Sequence, residues 1–236
     1  MLEFIDVEQR YGRRTALDGI SLRIERGERV ALVGPSGAGK TTFFRLAYGA
    51  FVPTSGKVML DGVDFAGLHG RALREARSRI AVVFQTHGLV ERLSVRANVL
   101  AGTFGKRSTL GALRTTFVPT ASETDAARGA LESVRLAERL RDRVFALSGG
   151  QRQRVAIARA VLQQAEVVLA DEPAASLDPE LSQEIVDLLL ADSRTRGATL
   201  ICSLHQPGLA QAFDRVIRLE HGKVVSDESA AQSFSI

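Results

Sequence analysis

The 236-residue sequence contains one cysteine, Cys202, so no disulfide can form within the chain. Stability must come from a buried apolar core, which a chain of this length can supply, and a reducing compartment suits it. No apolar run approaches the roughly 18 residues that mark a membrane-spanning helix. The opening stretch "MLEFIDVEQRYG" is acidic and lacks the charged start and apolar centre of an export signal. The expectation is a chain that neither crosses a membrane nor carries such a signal. Low-complexity tracts and a long charged tail are also missing. Charge of one sign is not concentrated: 31 basic residues face 27 acidic ones for a net charge of +4. The scattered arginines read as a solvated surface rather than a nucleic-acid footprint. What remains is an ordinary globular composition, 45% hydrophobic and 25% charged, sized for one domain with or without an inserted subdomain.

The first part of the chain reads as strands. "LEFIDV" and "ISLRIE" alternate as half-buried strands do, whereas "RVALVG" is continuously apolar, as in a central parallel strand covered on both faces. Thr41 to Tyr48 reads as a helix, Pro53, Ser55 and Gly56 as a turn, and "KVMLDG" and "RIAVVFQ" as further strands. From about residue 87 to 147 the spacing becomes helical in "VRANVLAG", "SETDAARGALESVRL" and "LAERLRDRV". A loop-like "GKRSTLGALRTTFVPTAS" lies between them, and Ser122 is the expected N-cap. Strand signals return in "EVVLAD" and "ATLICSL", and "VIRLEHGKVV" reads as a closing hairpin turning at His221 and Gly222.

Between the strand "RVALV" and the helix lies "GPSGAGKTT". Gly34, Gly39, Lys40 and Thr41 satisfy G-x-x-x-x-G-K-[ST] with the strand before and helix after that the motif requires. In the loop of Gly34, Pro35, Ser36, Gly37, Ala38 and Gly39, bare glycine backbone lets the N–H groups, which all but Pro35 carry, converge on β- and γ-phosphates. The helix start, through Thr41 and Thr42, adds partial positive charge. Lys40 is expected to reach the phosphates, and the Thr41 hydroxyl to ligate Mg²⁺.

A second element, "VVLADEP", pushes Asp171 and Glu172 out of the end of a strand, where ligands sit in open α/β sheets. Asp171 is expected to hold Mg²⁺ through water, and Glu172 to accept a proton from, or orient, the attacking water. In a third, "LSGGQRQRVAIARA", Ser148, Gly149, Gly150 and Gln151 open an amphipathic helix and form another anion site. Two γ-phosphate sites far apart in one chain are reconciled by a head-to-tail dimer, in which each nucleotide lies between one copy's glycine loop and the other copy's Ser-Gly-Gly.

"LSGGQ" shortly before "ADEP" resembles the ATP-binding subunit of an ABC transporter, and the resemblance covers essentially the whole chain. It implies an α/β fold: a P-loop NTPase (RecA-like) core with an N-terminal antiparallel β part and a helical subdomain inserted at about 87–147, within a single domain over 1–236. It implies that Tyr11 stacks on adenine and that Gln85 touches both Mg²⁺ and the attacking water. Asp178 is implied at the dimer interface, and His205 at the γ-phosphate, supporting Glu172, Gln85 and Lys40 in catalysis. His69, His87 and His221 match nothing catalytic and are expected at the surface. The implied cofactors are ATP and Mg²⁺. The implied partners are membrane permease subunits, a second copy of the chain and, indirectly, a solute-binding protein, with no nucleic acid. The implied location is the cytoplasmic face of the inner membrane.

"GLVERLSVRANVLAG", "LQQAEVVLADEPAASLDPE" and "SLHQPGLA" are similar to the phosphonate-importer ATPases. That resemblance implies an ATPase that energises uptake of phosphonate or a related phosphorus oxyanion. The alternatives left open are another ABC transporter branch (other solute import, export or lipoprotein release) and a non-transport ABC ATPase. The resemblance also implies that the ATPase does not touch the transported solute, so these segments are expected to report the permease partner and only indirectly the substrate.

Overall fold

The computed structural model describes residues 1–175, 177–204 and 206–229. In chain order its elements are β1 (Leu2–Tyr11), β2 (Arg14–Ile24), β3 (Arg29–Val33), α1 (Lys40–Ala47), β4 (Ser55–Leu60), β5 (Val63–Asp64), α2 (Gly70–Ser78) and β6 (Ile80–Val83). There follow α3 (Val95–Leu100), α4 (Thr109–Phe117), α5 (Ala121–Ser133), α6 (Gly149–Gln163), β7 (Val167–Ala170), α7 (Pro179–Arg196), β8 (Thr199–Leu204), α8 (Pro207–Ala210), β9 (Arg215–Glu220) and β10 (Lys223–Ser229).

The strands form two sheets. One has the order β2-β1-β4-β5, antiparallel throughout, and the other the order β10-β9-β3-β8-β7-β6. In the second, β9, β3, β8, β7 and β6 run parallel and only β10 returns antiparallel. The continuous apolar runs follow from its two-sided burial, because alternate residues feed different cores. Val30, Leu32, Val167, Leu169 and Ile201 pack with Phe4, Leu17, Ile20 and Phe43, filling the space toward the antiparallel sheet. Their neighbours Ala31, Val168, Ala170, Leu200 and Cys202 pack against α3, α5, α6 and α7. This layered α/β arrangement, with the antiparallel part and the added helices, is the fold the sequence led us to expect. No helix among the described residues is long and apolar enough to cross a membrane.

Local differences have local causes. Ser55 pairs with Glu8 of β1, so Ser55 and Gly56 open β4 rather than forming the expected turn. The stretch expected as loop carries α4. Ser108 caps it by accepting the Gly111 N–H (3.2 Å), and Thr115 is fully buried. Its threonines and glycine are weak helix formers, so periodicity alone conceals it. Thr120, not Ser122, caps α5. The Thr120 hydroxyl accepts from the Glu123 N–H and the Glu123 carboxylate accepts from the Thr120 N–H (2.8 Å), a reciprocal capping box. The expected helix at "LAERLRDRV" is replaced by single 3₁₀ turns at Ala137–Arg139 and Val144–Ala146. Backbone groups there are taken by the chain entering α3 and by its first residues: the Val95 N–H donates to Asp142, the Arg96 N–H to Leu140 and the Val144 N–H to Leu93.

Candidate active site

The glycine loop begins where β3 ends between its parallel neighbours β8 and β9. Two of its glycines have no room for a side chain. A Cβ on Gly34 would lie 2.1 Å from the Leu219 carbonyl oxygen. Gly39 combines φ +110° with an equivalent clash 2.5 Å from the Ala16 carbonyl oxygen. The Gly222 N–H donates to the Ala38 carbonyl (3.0 Å), so the turn between β9 and β10 pins the loop from behind. The loop runs straight into α1, whose first residue is Lys40.

Lys40 is 4% exposed. Its ammonium donates to the carbonyls of Gly34 (2.8 Å) and Pro35 (3.2 Å) and lies 3.6 Å from Glu172 Oε1. A long cation is thus held folded across the mouth of the loop, on neutral carbonyls and one carboxylate. An arriving phosphate offers it a stronger partner.

Asp171 and Glu172 follow the fully buried β7. The Asp171 N–H donates to the Val83 carbonyl (2.9 Å), and Asp171 is itself buried. Burial pushes its carboxyl pKa up. Hydrogen bonds from the Ser203 and Thr41 hydroxyls pull against that shift, and the Glu172 charge adds to it. Thr41 and Asp171 therefore present a hydroxyl and a carboxylate oxygen to one place. An all-oxygen pair suits a small hard cation that keeps waters and takes its remaining ligands from phosphates. Glu172 adopts φ +51°, which turns the chain away from the strand direction.

Lys40, Thr41 and Glu172 meet in one cavity of about 780 Å³, lined also by Tyr11, Ser36, Gly37, Gly39, Thr42 and Gln85, together with Arg14, Ala16 and Arg45. Gln85 and Glu172 also line an adjoining cavity of about 340 Å³ that reaches Ser203. Tyr11, at the end of β1, is 46% exposed and is braced edge-on by Phe51, with ring centroids 6.1 Å apart. Its ring lines the cavity, where an aromatic surface suits a flat ligand. Gln85 is exposed two residues beyond β6.

Ser148, Gly149, Gly150 and Gln151 do not line this cavity. They start α6, where the Ser148 hydroxyl accepts the Gln151 N–H (3.3 Å) and the Gln151 side chain accepts the Ser148 N–H (3.0 Å). Capping uses a lone pair of Ser148 and leaves its O–H proton to donate elsewhere. Asp178 also lies outside the cavity. It caps α7 by accepting the Leu181 N–H (2.9 Å). His205 falls outside the described residues. His69 and His221 are exposed, as expected, but His87 is half-buried. Burial lowers its pKa, it has hydrogen-bonding contact with the backbone at Thr86 and Gly149, and its own carbonyl accepts from Arg159 (3.0 Å).

Among the residues at the cavities that the motif reading did not single out are Arg14, Arg45 and Ser203. The arginines lie between or just past recognised motifs, where a cation reads as surface. Ser203 did leave a signal, as a hydroxyl inside the otherwise apolar run "LICSL".

Residues 17–175 match the ABC transporter family. The chain is 44% identical over 234 residues to the protein of Wolinella succinogenes named "Phosphonates import ATP-binding protein PhnC", covering 98% of this chain and 84% of that one. It is 45% identical over 218 residues to the protein of the same name from Thiobacillus denitrificans, covering 92% and 82%. Among solved structures it is similar to a dimeric bacterial ABC transporter cassette, with a TM-score of 0.87 and 30% identity over 98% of this chain and 99% of that one. The same measures are 0.86 and 30%, with the same coverage, for a dimeric post-hydrolysis state of an ATP-binding cassette bound to ADP and Pi.

Proposed function

The chain belongs to the ABC transporter family, and from that premise we propose that it is the ATP-hydrolysing subunit that energises a phosphonate importer. The observation that carries the chemistry is the convergence of Lys40, Thr41, Gln85 and Glu172 on one cavity, with Asp171 joined to Thr41. The relatives' shared name supports the transported class.

In this reading adenine lies against Tyr11 and the phosphates run along the loop from Gly34 to Thr42 to the start of α1. Lys40 leaves the Gly34 and Pro35 carbonyls for the β- and γ-phosphates. Glu172 takes the proton of the attacking water, which Gln85 helps to place. Thr41 and Asp171 would hold Mg²⁺, which neutralises phosphate charge when bound. His205 keeps the supporting role that the resemblance implies.

A second copy arranged head to tail completes the site, its Ser148 hydroxyl and the backbone at Gly149 and Gly150 donating to the γ-phosphate, with Gln151 and Asp178 at the interface. Both sets of contacts exist only when the copies are closed, so γ-phosphate binding favours closure and hydrolysis reopens it. The helical segment at about 87–147 is the unit that passes this motion to permease subunits at the cytoplasmic face of the membrane. A solute-binding protein acts upstream of them.

Growth of a deletion strain on phosphonate, phosphite or phosphate as sole phosphorus source tests the assignment. The expected result is loss of growth on phosphonate alone, restored by the wild-type chain and not by Glu172→Gln. Unchanged growth on phosphonate would overturn the substrate class.

A further inference from the structure

We propose that Ser203 is a positioning residue for ATP hydrolysis, a single hydroxyl that sets both the Asp171 carboxylate and the backbone turn carrying Glu172. The inference rests on the hydrolytic reading of Asp171 and Glu172 given above.

Ser203 lies on β8 with no exposed surface. Its hydroxyl donates to Asp171 Oδ1 (3.0 Å) and accepts the Glu172 N–H (2.7 Å). The place of these bonds in the sheet gives them their consequence. The ladder between β7 and β8 runs from Val167 paired with Thr199 to Ala170 paired with Cys202 and stops there. The next residues in register would be Asp171 and Ser203. Instead the chain leaves β7, with Glu172 at φ +51°, a conformation uncommon for a residue with a Cβ. The Ser203 side chain takes over where backbone pairing ends. It satisfies the Glu172 N–H that the turn removes from the ladder, and it fixes the rotation of the neighbouring carboxylate.

Ser203 itself is held in place, because β8 is paired on its other side to β3, with Ser203 opposite Leu32. The strand feeding the phosphate loop thus lies one hydrogen-bonded step from the group that aims the two acids. An apolar residue here would fill the space equally well. It would leave Asp171 with one fewer donor in a buried setting, and the Glu172 N–H without this partner.

The test compares Ser203→Ala, Ser203→Cys and Ser203→Thr in the otherwise intact chain. Ser203→Ala is expected to lower kcat by about 10- to 100-fold, the range for losing a hydrogen bond to a charged group. ATP affinity without Mg²⁺, measured by calorimetry, should stay within about twofold, because the loop and Lys40 are untouched. The gain in ATP affinity on adding Mg²⁺ should shrink. Ser203→Cys keeps the shape with only a weak donor and should fall with Ser203→Ala. Ser203→Thr keeps the hydroxyl and should recover most of the rate. In a Glu172→Gln background Ser203→Ala should cost little further rate, since both changes act on one unit.

Full activity in folded Ser203→Ala or Ser203→Cys, while Glu172→Gln alone is inactive, would overturn the positioning role and leave the hydrolytic reading standing. Full activity of Glu172→Gln would instead overturn the reading on which the inference rests.

Discussion

Replacing Glu172 by Gln is expected to lower kcat for ATP hydrolysis by about a hundred- to ten-thousandfold, the usual contribution of a positioned general base, without loss of ATP binding. Glutamine keeps the shape of the side chain and, through its amide oxygen, can keep the contact that now lies 3.6 Å from the Lys40 ammonium. It cannot accept a proton. The electrostatics give the change a second signature. With the Glu172 charge gone, Lys40 gives up less when it turns to the phosphates, so ATP should bind as tightly as to the wild type or more tightly. Single-turnover hydrolysis alongside equilibrium ATP binding separates the two effects. An unchanged rate would remove Glu172 from the chemistry, and a matching loss of binding would make it a structural residue of the loop.

Replacing Lys40 by Ala is expected to act on the opposite quantity. Two carbonyls and a carboxylate hold the ammonium in the loop, where it is nearly inaccessible. Phosphate must therefore come to the lysine rather than draw it out into solvent. Losing a charged donor of this kind should weaken ATP binding by about 10- to 100-fold. Arginine should not rescue it. A planar guanidinium is larger than an ammonium and cannot reproduce three donors radiating from one nitrogen in so small a space. Titration of ATP into wild type, Lys40→Ala and Lys40→Arg checks this, and wild-type affinity in either variant would contradict the placement of Lys40 at the phosphates.

The sequence displayed those parts of the site that one continuous segment builds. The loop from Gly34 to Thr42, the acids after β7 and the start of α6 are each a strand end or helix start with its own residue signature. Composition and spacing carry that information because the chemistry needs particular residue types in a row. Ser203 was not legible in the same way. Its role depends on β8 lying beside β7 in register, which no local pattern states. Arg14 of β2 and Arg45 of α1 also line the cavity, and the fold that brings them there is likewise not stated by a local pattern.

The helical stretch follows this rule too. α5 announced itself through periodicity, although its cap shifted by two residues, from Ser122 to Thr120. α4 was hidden by weak helix formers, and the segment near Leu140 gave up helix because distant backbone groups claimed its carbonyls. The cores, by contrast, were written in the strands. Alternate residues of β3, β7 and β8 go to opposite sides of the sheet, and that two-sided burial is why those runs are apolar without interruption.

The most direct test of the ATP site asks whether one chain holds all of it. Ser148, Gly149 and Gly150 lie outside the cavity that gathers Lys40, Gln85 and Glu172. A site shared between two copies therefore requires turnover per chain to rise with protein concentration until pairing saturates. Steady-state ATP hydrolysis by the purified wild-type chain, measured over a wide range of protein concentration at saturating ATP and Mg²⁺, reads this out. Turnover per chain that climbs from near zero to a plateau is the expected result. Turnover per chain that is substantial and constant down to the lowest concentration would mean that a single copy hydrolyses ATP unaided, and would contradict the composite site.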